Sequence, residues 1–380
     1  MDSKKYNNTK LFIGIAKGII SFILLFLFVQ LGYSLMLEDY IRSFTQNDYY
    51  VFIIYVFAIG IISSILFAPV NFYTGFYLEH KYNLSNQTFK KYILENIKSI
   101  LVGLVIGVPI LLLFFFVLNQ FKDLWWLIFA SAMFLISVVL SQIFPILIMP
   151  IFYKIIPLND EELKTRITKL AEGAGITVQN VFSFNMSKNT KKANAAFTGL
   201  GKTKRIILGD TLLNDYSKDE IETVIAHELG HYKHKHIQKN ILFGTVTSFL
   251  TFFIISLLYK NSLSWFDFNS ILQIAALPIL SLWAMVIGLI QTPISNILSR
   301  KYEYEADRYA IQSTRKPDSF INTLNKLTDQ NLGDRQPHPF VEWFYYSHPS
   351  IKNRIDAIVK FAKEKKIVEL KNEQPAEVIV

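Results

Sequence analysis

The 380 residues are long enough for two or three soluble domains, but 51% are hydrophobic and 32 are Phe, a composition that excludes an ordinary soluble protein. The formal net charge of +9 reads as a topology bias and an attraction to anionic lipid rather than as nucleic-acid binding. With no cysteine in the chain, disulfides, thiolate metal sites and thiol nucleophiles are excluded, and His, Asp and Glu remain as metal ligands.

In chain order, six apolar runs are long enough to cross a bilayer. The first, Leu11–Leu37, carries a single Lys17. It is too long for a cleavable signal peptide, and no small-residue cleavage site precedes the polar Glu38–Asp48 loop, so it is expected to stay as the first span. Tyr49–Leu78, Ile100–Leu118 and Leu124–Tyr153 have no charged residue, and Ile241–Tyr259 and Ile271–Leu298 complete the set. Pro69, Pro109, Pro145 and Pro150 sit in or at the ends of these runs, where kinks are tolerable if neighbouring helices satisfy the freed backbone. Between the second and third runs, Lys81–Ser99 is polar and helix-like and is expected to lie at the cytoplasmic surface.

This pattern predicts a multi-pass α-helical membrane protein of about six spans with a mainly helical, zincin-like cytoplasmic domain that contains a small hairpin or sheet. Residues 1–153 hold spans one to four with a cytoplasmic loop at 79–99, and residues 154–240 the first polar block. Residues 241–298 hold spans five and six, and residues 299–380 the second polar block. Lys4, Lys5, Lys10, Lys81, Lys90, Lys91 and Lys98 lie on one side of that topology, while Glu38, Asp39, Asp48, Asp123 and Asp267 dominate the loops of the other. The positive-inside rule then places both termini and both polar blocks in the cytoplasm, with the chain in the cell (inner) membrane.

In the first block, Asn159–Gly175 has the pattern of an amphipathic helix and Val178–Met186 alternates like a strand. Ala193–Leu200, a turn at Gly201–Lys204 and Arg205–Leu208 read as a hairpin. Ser217–His236, SKDEIETVIAHELGHYKHKH, reads as one helix. Ser217 is its N-cap and Glu220 completes a capping box, while Ile221, Val224, Ile225 and Leu229 form the packing face. His227 and His231 are one turn apart, so both imidazoles leave one side and can hold a single metal ion. Glu228 stands where a carboxylate can reach a water at that ion without ligating it, as general base. This is the H-E-x-x-H pattern of zinc metalloproteases. His234 and His236 extend the helix, and a polar or supporting role suits them better than ligation.

A catalytic zinc takes three protein ligands. The third is sought in KYEYEADRYA, Lys301–Ala310, where Glu303 and Asp307 share a helix face and Glu305 points to the opposite side. Glu303 is assigned as the third ligand and Asp307 as the group that orients a ligand histidine through its free ring nitrogen. One Zn2+ per chain is expected, although two histidines and a glutamate would also accept cobalt or manganese. The second block, Ser299–Val380, looks helical almost throughout, with a polar end from about Lys371.

HELGHYKHKH followed by EYEAD after two spans resembles the integral-membrane zinc metalloproteases that include the type I CAAX prenyl protease. NAAFTGLGKTKRIILGDTLL at Asn194–Leu213, YSHPSIKNRI at Tyr346–Ile355 and FYLEHKYNLSNQTFKKYI at Phe76–Ile93 extend the similarity over roughly Leu11 to Lys363. The cysteine-free chain with short loops looks like a prokaryotic member. The resemblance implies that His227, His231 and Glu303 hold zinc and that Glu228 is the base. It further implies that His348 and Arg354 face the developing oxyanion, and that Asn194 and Ala195 lie on a strand edge that pairs with an extended peptide. Eukaryotic members are described with seven spans against the six counted here, so a fully closed chamber is not implied. The resemblance implies the bilayer and a peptide or protein substrate as partners, a prenylated one among the expected substrates, and no nucleic acid. A broad quality-control metalloprotease is the alternative within this class. A transporter or channel is the alternative outside it, and the near absence of charge in the spans argues against it.

Overall fold

The computed structural model describes residues 3–176, 180–198 and 205–367, and the chain packs as two units. One is formed by Lys5–Phe152 and Lys239–Pro293, the other by the described residues of Met1–Lys4, Tyr153–Gln238 and Ile294–Val380.

The apolar unit begins with α1 (Ser3–Gln30), which left-handed Gly32 separates from α2 (Tyr33–Arg42). Then α3 (Asp48–Phe72) starts at an Asn47 cap whose side chain accepts from the Tyr49 and Tyr50 amides. Pro69 lies inside α3, and a π-helical turn at Tyr73–Tyr77 follows it. The Lys81–Ser99 stretch is not one polar helix. A short turn of helix ends at Lys81, and α4 (Phe89–Phe121) starts only at Thr88, whose hydroxyl accepts from the Lys91 amide. A tight turn at Lys122–Leu124 returns the chain into α5 (Trp125–Ile143). Phe114 packs edge-on against both Trp125 and Phe129, so the two helices form a hairpin.

Among the described residues, five stretches are long and apolar enough to cross a membrane, and residues in them such as Phe12, Ile65, Val105 and Leu135 are exposed. The third of them, Phe89–Phe152, contains that hairpin and so holds the third and fourth expected spans together. The core of this unit gathers Val51, Phe52, Tyr55, Phe115, Leu118 and Tyr259. Two of its buried polar side chains are paired by hydrogen bonds: Ser34 bonds the Tyr55 hydroxyl at 2.5 Å and the Ala275 carbonyl, and Glu38 accepts from the Ala275 amide at 2.6 Å.

The second unit opens with β1 (Ile155–Pro157), α6 (Glu161–Gly173), β2 (Asn180–Phe184), β3 (Ala195–Thr198) and β4 (Arg205–Gly209). These strands form one sheet in the order β1-β2-β4-β3. The expected hairpin is the antiparallel β3–β4 pair, while β2 runs parallel to β4. The expected turn at Gly201–Lys204, the start of the Val178 strand and the chain end beyond Lys371 lie outside the described residues. Leu163, Ile167, Val181, Ile206 and Leu208 pack with Ile221, Ile225 and Leu229 of the next helix, α7 (Lys218–Lys233). After it come α8 (His236–Ser262), α9 (Pro278–Thr314), α10 (Pro317–Gln330), α11 (Pro339–Tyr345) and α12 (Ile351–Lys365). The start of α8 belongs to this unit, as does α9 from Ile294 onward.

Candidate metal centre and active site

The site is built on α7, whose start is fixed by a complete capping box: Ser217 N–H donates to Glu220 at 2.8 Å, and the Glu220 amide donates back to the Ser217 hydroxyl. Burial of Ile221, Ile225 and Leu229 on one face turns His227 and His231 to another. Their Nε2 atoms lie 3.2 Å apart, so both converge on one point where a single ion could be held.

The facing helix is α9, and Gly230 sets its distance. A Cβ at that position would lie 2.9 Å from Ala306 Cα, so only glycine permits this approach. Ala306 stands between Glu303 and Asp307, and both carboxylates are thereby brought to the histidines. Glu303 Oε2 is 3.5 Å from His227 Nε2, and Oε1 is 3.3 Å from His231 Nε2. One donor atom from each of these three residues falls within 4.8 Å of the others, the only such His/Asp/Glu group among the described residues. Asp307 Oδ1 accepts from His227 Nδ1 at 2.9 Å.

Arg354, on α12, spends two donors on Asp307, at 2.9 Å from Nε and 2.6 Å from Nη2. Its Nη1 lies 3.5 Å from Glu303 Oε2, so its nearest partner is Asp307 rather than the open side of the site expected of an oxyanion group. His348 is the more accessible of the expected pair, with 63% of its side chain exposed and Nδ1 3.5 Å from Glu303.

The electrostatics fit a dication. Glu228, Glu303 and Asp307 against Arg354 leave a formal charge of two minus around two histidines. Burial alone would lower His227, but its hydrogen bonds to Asp307 and Glu303 outweigh that and raise it to about 10, so the site holds a cation by taking up a proton. Burial raises Glu228 above the usual carboxylate range, and the neighbouring histidines oppose that shift. Its carboxylate makes no hydrogen bond to another described residue, as suits a group kept for a water.

α7 does not continue to His236 as expected. It ends at Lys233, Lys235 adopts a left-handed conformation at φ 58°, and α8 begins at His236. His234 is exposed, whereas His236 is 1% exposed and folds back onto His231, with 3.0 Å between the two Nδ1 atoms. Neither this contact nor Gly230 was drawn from the sequence, although a glycine in mid-helix is a signal for close approach.

Asn194 is exposed and Ala195 half-buried at the start of β3, the outer strand of the sheet, which packs beside α7. The Gly209 amide donates to the Asn194 carbonyl at 2.9 Å. By the alternation of antiparallel pairing, Ala195 then turns its own N–H and C=O to the open side.

Residues 157–362 match peptidase family M48, and residues 1–154 match the CAAX prenyl protease N-terminal family of five membrane helices. The chain is 33% identical over 325 residues to CAAX prenyl protease 1 of Saccharomyces cerevisiae, covering 80% of this chain and 71% of that protein. It is 30% identical over 357 residues to Uncharacterized metalloprotease YhfN of Bacillus subtilis, covering 93% and 84%. The crystal structure of S. mikatae Ste24p aligns with a TM-score of 0.83 at 27% identity, over 94% of this chain and 88% of that one.

Proposed function

This chain belongs to peptidase family M48, and we propose that it is a zinc endopeptidase in which His227, His231 and Glu303 hold the ion. It is a membrane-embedded metalloendopeptidase of the CAAX prenyl protease type I family. The observation that carries the zinc reading is the convergence of two imidazole nitrogens and one carboxylate within 4.8 Å, beside the Glu228 carboxylate, which has no hydrogen-bond partner among the described residues. Two nitrogens and an oxygen are the donor set of catalytic zinc in hydrolases. When bound, zinc supplies a Lewis acid that polarises the scissile carbonyl and lowers the pKa of water.

The remaining work falls to the protein. Glu228 takes the proton from the attacking water and passes it to the leaving amine. Asp307 holds the His227 ring by accepting its Nδ1 proton, and Arg354 holds Asp307 by a two-point fork. His348, on the accessible side of Glu303, is placed to donate to the oxyanion, while Arg354 adds positive charge from behind. The substrate peptide lies along the open edge of β3, where Ala195 offers main-chain pairing that reads little sequence. Both termini and the metal centre face the cytoplasm of the cell membrane, and the substrate is a hydrophobic, CAAX-type prenylated peptide.

Zinc content and cleavage in detergent, measured with a farnesylated CAAX peptide and its unprenylated twin, test this reading. Preference for the lipidated peptide supports the prenyl substrate, and equal cleavage replaces it with a broad quality-control specificity. Absence of zinc from active protein would overturn the metal assignment.

A further inference from the structure

We propose that His236 and Glu305 form a tautomer relay that holds His231 as an Nε2 ligand, an inference that rests on the metal reading above. His231 uses its two nitrogens on opposite sides. Nε2 faces Glu303 at 3.3 Å and the His227 ring, while Nδ1 lies 3.0 Å from Nδ1 of His236. Two ring nitrogens at that distance share one proton, so one donates and the other accepts.

The choice is fixed from the far end. His236 Nε2 lies 2.9 Å from Glu305 Oε2, and an ionised carboxylate only accepts. His236 therefore carries its proton on Nε2 and leaves Nδ1 bare. His231 must then donate from Nδ1, and its Nε2 lone pair is left for a metal. With the opposite tautomer, His236 Nε2 would set a lone pair against the carboxylate and His231 would carry a proton where the ion must bind. Glu305 thus acts on the ligand from two residues away.

The placement of His236 is as specific as its partners. Left-handed Lys235 interrupts the helix after α7, and His236, five residues on from His231, lies against the His231 ring. Its ring stacks on Tyr302 at 4.1 Å with 12° between planes and is 1% exposed, which holds the ring in place. His227 has its carboxylate directly, in Asp307, and His231 has one through an intervening imidazole; both carboxylates come from α9. His236 and Glu305 are positioning residues, not ligands.

The test uses the full chain in detergent. Zinc affinity is measured by competition with a chromophoric chelator, alongside the visible spectrum of the Co2+-substituted protein. Asparagine keeps an acceptor oxygen near the Nδ1 position of histidine and leucine keeps none, so His236→Leu should weaken zinc binding about 10- to 100-fold with an altered Co2+ spectrum. His236→Asn should restore most of the affinity. Glu305→Leu should weaken binding similarly and Glu305→Gln less, because the amide still offers an oxygen; this pair decides the matter if His236→Leu does not fold. Equal losses in His236→Asn and His236→Leu, or wild-type affinity in Glu305→Leu, would overturn the relay. A wild-type chain that takes up no zinc fails the underlying metal reading instead, whereas normal wild-type uptake matched by His236→Leu fails the relay alone.

Discussion

His227 sits between two carboxylates, and its affinity for a proton and for a metal have the same origin. Burial opposes its positive charge, but Asp307 and Glu303 raise it from 6.5 to about 10 in the metal-free protein. A group raised on folding stabilises the fold in full below the unfolded value and loses that contribution as pH rises through the folded one. The melting temperature of metal-free protein should therefore fall between pH 6.5 and about 10, while metal-loaded protein, in which the ion replaces the proton, should change far less. Metal uptake near neutral pH should also release a proton, visible as a calorimetric enthalpy that varies with the buffer's heat of ionisation. Glu228 is separable from all this, since it contributes no ligand atom to the cluster. Glu228→Gln should keep the metal and lower hydrolysis by about 10²–10⁴. Metal lost with that change would make Glu228 a ligand or a folding element. At this scale the His227, His231 and Glu303 cluster was legible because helical spacing alone brings His227 to His231 and Glu303 to Asp307. His236 was not, because a left-handed lysine leaves no mark in a sequence as a glycine would.

Two elements set the geometry, and each can be tested by one residue. Replacing Gly230 by alanine should favour the helix by about 1 kcal/mol on propensity. The added Cβ meets Ala306 Cα at 2.9 Å, and such overpacking costs about 1–3 kcal/mol, so the steric effect wins. α9 must withdraw and carry Glu303 and Asp307 with it. Gly230→Ala should then bind zinc at least tenfold more weakly while the protein stays folded, and unchanged affinity would show that the close approach is not what positions Glu303. On β3, Ala195→Pro removes an N–H directed to the open side and leaves the ladder to β4 intact. One main-chain hydrogen bond is worth about 0.5–1.5 kcal/mol, so KM should rise up to about tenfold with metal content unchanged. A KM equal to wild type would place the substrate elsewhere. The β3–β4 hairpin was legible from local alternation. The parallel pairing of β2 with β4 was not, because it joins strands whose contact no local pattern encodes, and β1, closed by Pro157, is too short to be distinguished from the end of a span.

At the scale of the whole molecule, hydropathy made the spans readable because lipid leaves helices few alternatives. Among the described residues, five long stretches stand against six runs because Lys122–Leu124 is a turn so short that α4 and α5 join into a single apolar segment. Orientation rests on a weaker signal, the asymmetry of lysines between loops, and the absence of cysteine makes it testable without background. Single cysteines at Asn8, Gln46, Asn269 and Lys352, all exposed, sample the N-terminal helix, the first loop, the loop before α9 and the second polar block. In intact cells an impermeant thiol reagent should label Gln46→Cys and Asn269→Cys directly, and Asn8→Cys and Lys352→Cys only after permeabilisation. The reverse pattern would put the metal centre outside the cell, where no prenylated cytoplasmic protein could reach it, and the substrate proposal would fall with the topology. An even number of crossings also requires Asn8 and Lys352 to label alike. If they differ, the Lys122–Leu124 turn does not return the chain across the bilayer, and the Phe89–Phe152 segment crosses only once.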